Sequence, residues 1–193
     1  MMVCVQPTNE LAGKKILLGV TGGIAAYKCA ELVRLLKKAG AQVVVVMTEA
    51  ATRFVTPLTF QALSGNPVAV DAWDPEHGGG MTHIDLTRAA DLMVIAPASA
   101  DFMAKVAQGR ADDLLSALVL ARDCPLAIAP AMNRQMWGNP ATQRNKALLE
   151  QDGIALWGPG VGEQACGEVG EGRMLEACEL AEAVIAALTP KQL

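Results

Sequence analysis

The sequence predicts one α/β domain: a single doubly wound, mostly parallel sheet with helices on both faces. Three observations carry that expectation. Short apolar runs alternate with helical patterns along most of the chain, which is the order of a sheet whose crossovers are helices. The runs are apolar almost without interruption, as in AQVVVVM over 41–47, so they are strands buried on both faces rather than one. Small, polar or proline residues follow the runs, and in open α/β sheets the ligand sits beyond the carboxyl ends of the strands.

The elements follow in order. KILLGV (15–20) reads as the first strand, ending in Thr21-Gly22-Gly23, and a helical pattern extends from Ile24 to Ala39. Gly40 stops that helix, because glycine takes the left-handed conformation that ends helices without a Cβ penalty. The second strand covers 41–47, a third 92–96, and helices are expected over 100–107 and 113–121. A strand over 126–129, a helix over 141–151, a short strand over 154–157 and a closing helix over 176–188 complete the pattern. The domain is therefore expected over 13–188, with a loose tail over 1–12 and an exposed end or linker start over 189–193. Residues 157–174 are dense in glycine and lack hydrophobic periodicity, so they read as a mobile flap.

Bulk properties exclude several classes. The formal net charge of -4 offers no general attraction for nucleic acid or an anionic membrane surface. No apolar stretch approaches the roughly 18–20 residues that cross a bilayer. The first ten residues lack the pattern of a signal peptide, so a cytoplasmic protein is expected. The hydrophobic share is 52% but aromatics are only 4%, so the core must be built from aliphatic residues, with apolar surface left over for a partner subunit. Five cysteines without C-x-x-C spacing, beside two histidines, give no metal site and read as reduced thiols, mostly buried.

Candidate site residues stand just after the strands. Gly22, Gly23 and Ile24 open the first helix, where backbone N–H groups and the helix dipole favour a phosphate. The loop is neither a Walker A loop nor G-x-G-x-x-G, and its glycines could equally serve tight packing. Thr48 suits a mononucleotide, while Glu49 keeps a ribose-binding, nicotinamide reading open. Pro97, Ala98, Ser99 and Ala100 follow the third strand. Asn133, in PAMNRQMW (130–137), can bind a carboxylate without adding charge or can cap the following turn. His83 becomes a base near neutral pH if Asp85 or a carbonyl fixes its tautomer, and is otherwise a structural histidine. His77, next to three glycines, reads as a loop residue. Cys166 is a thiol on the flap, where it could exchange a proton with a substrate beneath.

Together these segments resemble the flavoprotein family of cysteine decarboxylases, in particular its branch acting on 4'-phosphopantothenoylcysteine in coenzyme A synthesis. The likeness runs over about 11–187 and is strongest in HIDL (83–86), PAMNRQMW (130–137) and ACGEVGEGRM (165–174). The resemblance implies a Rossmann-like or flavodoxin-like flavoprotein fold. It implies FMN held at the subunit contacts of a homotrimer, often assembled to a dodecamer, and lined by Gly22, Gly23, Ile24, Thr48, Thr56, the 97–100 turn and Ala131. By the same match His83 is the base, Asn133 and Met174 meet the substrate, and Cys166 is the proton donor. In many bacteria such a domain is fused to a phosphopantothenate–cysteine ligase, which this chain lacks. The implied chemistry oxidises the carbon next to sulfur to a thioaldehyde, loses CO2 to an enethiol, and reduces that to 4'-phosphopantetheine. Three other readings share the fold: a peptidyl-cysteine decarboxylase, a flavin prenyltransferase and a non-catalytic flavin-binding regulator.

Overall fold

The computed structural model describes residues 9–71, 87, 90–165 and 167–189. Six parallel strands form the main sheet: β1 Lys15–Val20, β2 Gln42–Met47, β3 Val68–Ala69, β4 Leu92–Ala98, β5 Leu126–Pro130 and β6 Ala155–Leu156. Their order is β3-β2-β1-β4-β5-β6, so the winding reverses between β1 and β4. Lys15 to Val20 run level with Gln42 to Met47 on one side, and Ile16 to Gly19 with Leu92 to Ile95 on the other. This is the doubly wound arrangement expected from the strand–helix alternation.

Helices cover both faces. Helices α1 Lys28–Lys38 and α3 Pro57–Ser64 share one layer with α8 Ala177–Leu188, and a four-residue helix α2, Glu49–Thr52, follows β2. The opposite layer holds α4 Ala100–Ala107, α5 Leu114–Ala121 and α7 Pro140–Gln151, with the short α6 Arg134–Gly138 before α7. Alternate strand residues divide between two cores. Ile16, Leu18, Val43, Val45 and Val94 pack under the first layer with Leu32, Leu36 and Leu180. Leu17, Val44, Val46, Met93 and Ile95 pack under the second with Phe102, Leu115 and Leu118. Each such side chain contributes about 1.5–3 kcal/mol on leaving water, which is why the strands carry apolar residues at both parities.

Several boundaries differ from expectation. A 3-10 turn, Ile24–Tyr27, precedes α1, so the first helix opens with a tighter turn. Leu11, read as part of a loose tail, is buried in the core, and its N–H donates to Ala39 O at 2.8 Å. The domain therefore includes residues before 13. Helix α3 and the edge strand β3 were not anticipated, although Pro57 at the first helical turn and the left-handed Gly65 (φ 74°) after the last are the usual stop and start signals. The glycine-dense stretch is also ordered into two antiparallel strands, β7 Gly160–Glu163 and β8 Val169–Arg173. Among the described residues no helix is long and apolar enough to cross a membrane.

Candidate functional site

A cleft of about 660 Å³ opens beyond the carboxyl ends of β1 and β4, where the winding reverses. One wall is the opening of the first helix, Gly22, Gly23 and Ile24, together with Ser99 and Ala100 at the start of α4. The other is formed by Ala131 and Asn133 after β5 and by Gln164, Gly172 and Met174 on or beside the hairpin.

Buried hydrogen bonds set the first wall. Thr21 is 1% exposed; its hydroxyl donates to Pro97 O at 2.7 Å and accepts from Ser99 N–H at 3.0 Å. That one side chain locks the end of β1 to the turn after β4. Ser99 in turn caps α4, its Oγ accepting from Phe102 N–H at 3.2 Å. No side chain caps the first helical turn after Gly23. A Cβ on Gly22 would lie 2.6 Å from Ala50 Cβ, so the loop's close approach to α2 requires that glycine, whereas a Cβ on Gly23 would meet nothing within 4 Å. Packing thus explains Gly22, and Gly23 faces open space.

The second wall rests on Asn133. Its Oδ1 accepts from Gln135 N–H at 2.8 Å, making it the N-cap of α6, and its Nδ2 donates to Glu168 Oε2 at 2.7 Å. Both sequence readings of this residue therefore hold in part, since Asn133 caps a helix and lines the cleft. The hairpin meets the segment after β5 through Met132 N–H, which donates to Gly172 O at 2.9 Å. Below it Lys28, whose side chain is 10% exposed, pairs with Glu176 at 2.9 Å, and Arg173 pairs with the same carboxylate oxygen. Burial works to raise the Glu176 pKa, but the hydrogen bonds and charges of Lys28 and Arg173 outweigh it and hold the carboxyl below its usual range.

Comparison with known proteins bears directly on this cleft. The Flavoprotein family model matches residues 5–189. The chain belongs to the Flavoprotein family. It is 58% identical over 172 residues to the coenzyme A biosynthesis bifunctional protein CoaBC of Vibrio vulnificus, covering 89% of this chain and 43% of that protein. The chain thus spans less than half the length of the curated relatives it matches. Among solved structures it is similar to a PPC decarboxylase mutant, Cys to Ser, complexed with pantothenoylaminoethenethiol; the TM-score is 0.79 and identity 33%, over 90% of this chain and 97% of that one. It is also similar to the FMN-dependent cysteine decarboxylase SpaF, with a TM-score of 0.75 and 36% identity over 91% of this chain and 99% of that one.

The cofactor of this flavoprotein is a flavin, and its residues fit one. A flat, largely apolar ring system suits walls that carry Ile24, Tyr27, Met136 and Met174, and the volume lies within the range of cofactor clefts. Ile24 is 60% and Tyr27 61% exposed, so large apolar side chains are left for something to cover. A phosphate suits the uncapped helix opening after Gly23.

The cleft brings together Gly22, Gly23, Ile24, Ser99, Ala100, Ala131, Asn133 and Met174. It does not include four other residues assigned to the flavin. Thr48 and Thr56 are the N-cap residues of α2 and α3, and Pro97 and Ala98 are buried in β4, where they shape the strand end rather than the wall. His83, Asp85, His77 and Cys166 lie outside the described residues. Sequence reasoning missed Lys28 and Gln164 as cleft residues. The position of Lys28 one helical turn after Ile24 was the available signal, whereas nothing in the glycine-dense stretch singles out Gln164. Cys29 follows the thiol expectation: it is fully buried, donates to Ala96 O at 2.9 Å, and burial pushes its pKa far up, so it is inert.

Proposed function

We propose that this flavoprotein binds FMN in the cleft and decarboxylates 4'-phosphopantothenoylcysteine to 4'-phosphopantetheine and CO2, a step of coenzyme A biosynthesis. The observation that carries the reading is the match to a PPC decarboxylase holding pantothenoylaminoethenethiol, the ligand expected after oxidation and loss of CO2, together with Asn133 on the wall of this cleft. Gly22, Gly23, Ile24, Ser99 and Ala100 would hold the FMN. Bound there, FMN supplies a reversible two-electron sink beside the substrate.

The chain's own residues bind, orient and move protons. Asn133 offers an amide N–H to the substrate carboxylate and so orients the bond that breaks. His83 takes the thiol proton, which allows the carbon next to sulfur to be oxidised to the thioaldehyde. CO2 then leaves as its bonding electrons flow into C=S, giving an enethiolate. Cys166 returns a proton to carbon before the final reduction, and Met174 packs against the substrate. Each well-timed proton transfer is worth about 10²–10⁴-fold in rate. The same reading implies a homotrimer, assembled further to a dodecamer, in the cytoplasm. It also implies a phosphopantothenate–cysteine ligase domain in the longer protein.

The test is direct. Purified protein should carry a yellow flavin spectrum, release FMN on denaturation, and evolve CO2 from 4'-phosphopantothenoylcysteine. His83→Asn should keep the flavin and lose the first oxidation, and Cys166→Ser should release CO2 yet accumulate the enethiol. A protein that stays colourless with added FMN, or evolves no CO2, would refute the proposal.

A further inference from the structure

Among the described residues two cations line the cleft, Lys28 at the start of α1 and Arg173 at the end of β8. Both converge on one carboxylate. Glu176 Oε1 accepts from Lys28 Nζ at 2.9 Å and also from Arg173 Nη2. The two contacts differ in their surroundings. The Lys28 side chain is 10% exposed and reaches Met174 O at 3.5 Å, whereas that of Arg173 is 43% exposed. The Glu176 backbone is fixed separately, since its N–H donates to Glu179 Oε2 at 2.7 Å.

A guanidinium carries five N–H donors in a rigid fork. Among the described residues that of Arg173 meets a single acceptor, the oxygen it shares with Lys28. Its side chain lies across Gly162, where a Cβ would stand 3.1 Å from Nη1 and 3.3 Å from Cδ. The third charged residue of the wall, Glu163, makes an ion pair with neither cation. It is level with Val169, whereas Arg173 is level with Gly160 at the other end of the hairpin. An ion pair as exposed as Arg173–Glu176 contributes little, because water solvates both partners and long side chains must be ordered. Arg173 can therefore leave at low cost, and Glu176 keeps the more buried Lys28 as its counter-ion. A phosphate offers the guanidinium two unshared oxygens at the spacing of its fork.

We propose that Arg173 is a specificity-determining residue of this cleft: its guanidinium exchanges the shared Glu176 oxygen for the phosphate of the substrate. The inference rests on the substrate class given under Proposed function, where no side chain takes up that phosphate. FMN brings a second phosphate, and the uncapped opening after Gly23 on the opposite wall suits that one.

The experiment uses the flavin-loaded protein and two probes that lack the thiol and do not react: 4'-phospho-N-ethylpantothenamide and N-ethylpantothenamide. They differ in the phosphate alone. Calorimetry should show wild type binding the phosphorylated probe more tightly. Arg173→Ala should weaken that probe about tenfold, as for loss of a hydrogen bond to a charged group, and leave the other within about twofold. Arg173→Lys keeps the charge without the fork and should fall between. Flavin affinity and melting temperature should match wild type in both variants. Equal weakening of both probes, no change in either, or a loss confined to FMN overturns the assignment. Loss of phosphate-dependent binding in Arg173→Ala, with no CO2 evolved by wild type, would uphold Arg173 and refute the proposed reaction. Wild type that binds neither probe refutes both.

Discussion

The two walls of the cleft are held by different physics. On the sheet side, Thr21, 1% exposed, ties Pro97 to Ser99 through a buried hydroxyl, and the strands around it are covered on both faces. On the hairpin side, Val161 and Val169 are 70% and 64% exposed, and β7 and β8 have almost no core of their own. The hairpin is held instead by the Met132–Gly172 backbone bond, by Gln164 and Glu168, and by the ion pairs of Glu176 with Lys28 and Arg173. Buried hydrogen bonds are costly to break because the freed groups find no water, whereas each solvent-facing bond is worth about 0.5–1.5 kcal/mol and can be exchanged. The sheet-side wall is thus held by buried bonds and two packed cores, and the hairpin-side wall mainly by polar and backbone contacts.

The sharpest way to break this comparison is Gly172→Ala. An added Cβ would sit 2.3 Å from Met132 O at a φ of +133°, so β8 must move away from the segment carrying Asn133. A displacement near 1 Å at a reacting group can cost about a hundredfold in rate. Decarboxylation should fall by that order while circular dichroism and flavin content stay near wild type. Loss of flavin in this variant would show that the two walls are not independent.

Thr21→Val probes the other wall. It removes both hydroxyl bonds and strands Ser99 N–H, while Pro97 O keeps the Thr21 N–H at 3.3 Å, and should destabilise the domain by about 1–3 kcal/mol. The variant should melt at lower temperature and release flavin more readily. An unchanged melting temperature would mean that the sheet wall does not depend on this hydroxyl.

The smallest effect is expected at the far end of the sheet. Asp91 accepts from Lys15 N–H at 2.8 Å and from Lys14 Nζ at 3.0 Å. The backbone hydrogen bond from Lys15 and then the Lys14 ammonium hold its carboxyl below the usual value of 3.8, against a smaller opposing effect of burial. A depressed folded-state pKa contributes stability above the unfolded value and loses it as pH falls through the folded one. Denaturant midpoints should therefore show Asp91→Asn slightly less stable at pH 7, with the gap closing below pH 3.8. Activity at pH 7 should be unaffected, because the cleft lies at the opposite ends of the strands.

Much of this architecture was readable beforehand because burial on both sides leaves a strong signature. VVVV in β2 and LMVIA in β4 admit no amphipathic reading, and Gly40 ends α1 with a φ of 95° as its position implied. The hairpin gave no such signature. Its strands, GVGE and VGEGR, pair through backbone groups and close contacts that need the absence of a side chain, so neither periodicity nor propensity marks them. Thr48 and Thr56 stand at the N-cap positions of α2 and α3, where the Thr48 hydroxyl accepts from Ala51 N–H and the Thr56 hydroxyl makes no cap bond, a difference no sequence pattern marks.

Chain chemistry alone was enough for the two layers and for the wall at Gly22, Gly23 and Ser99, since each follows from local hydropathy and from residues adjacent to a strand end, whereas the strand order came only with the structure. The partners of Asn133 were another matter. Glu168 lies 35 residues away, and only the docking of a hairpin against the end of β5 brings its carboxylate within 2.7 Å of that amide. Such a contact depends on how two distant segments are packed, and a one-dimensional pattern carries no record of that distance.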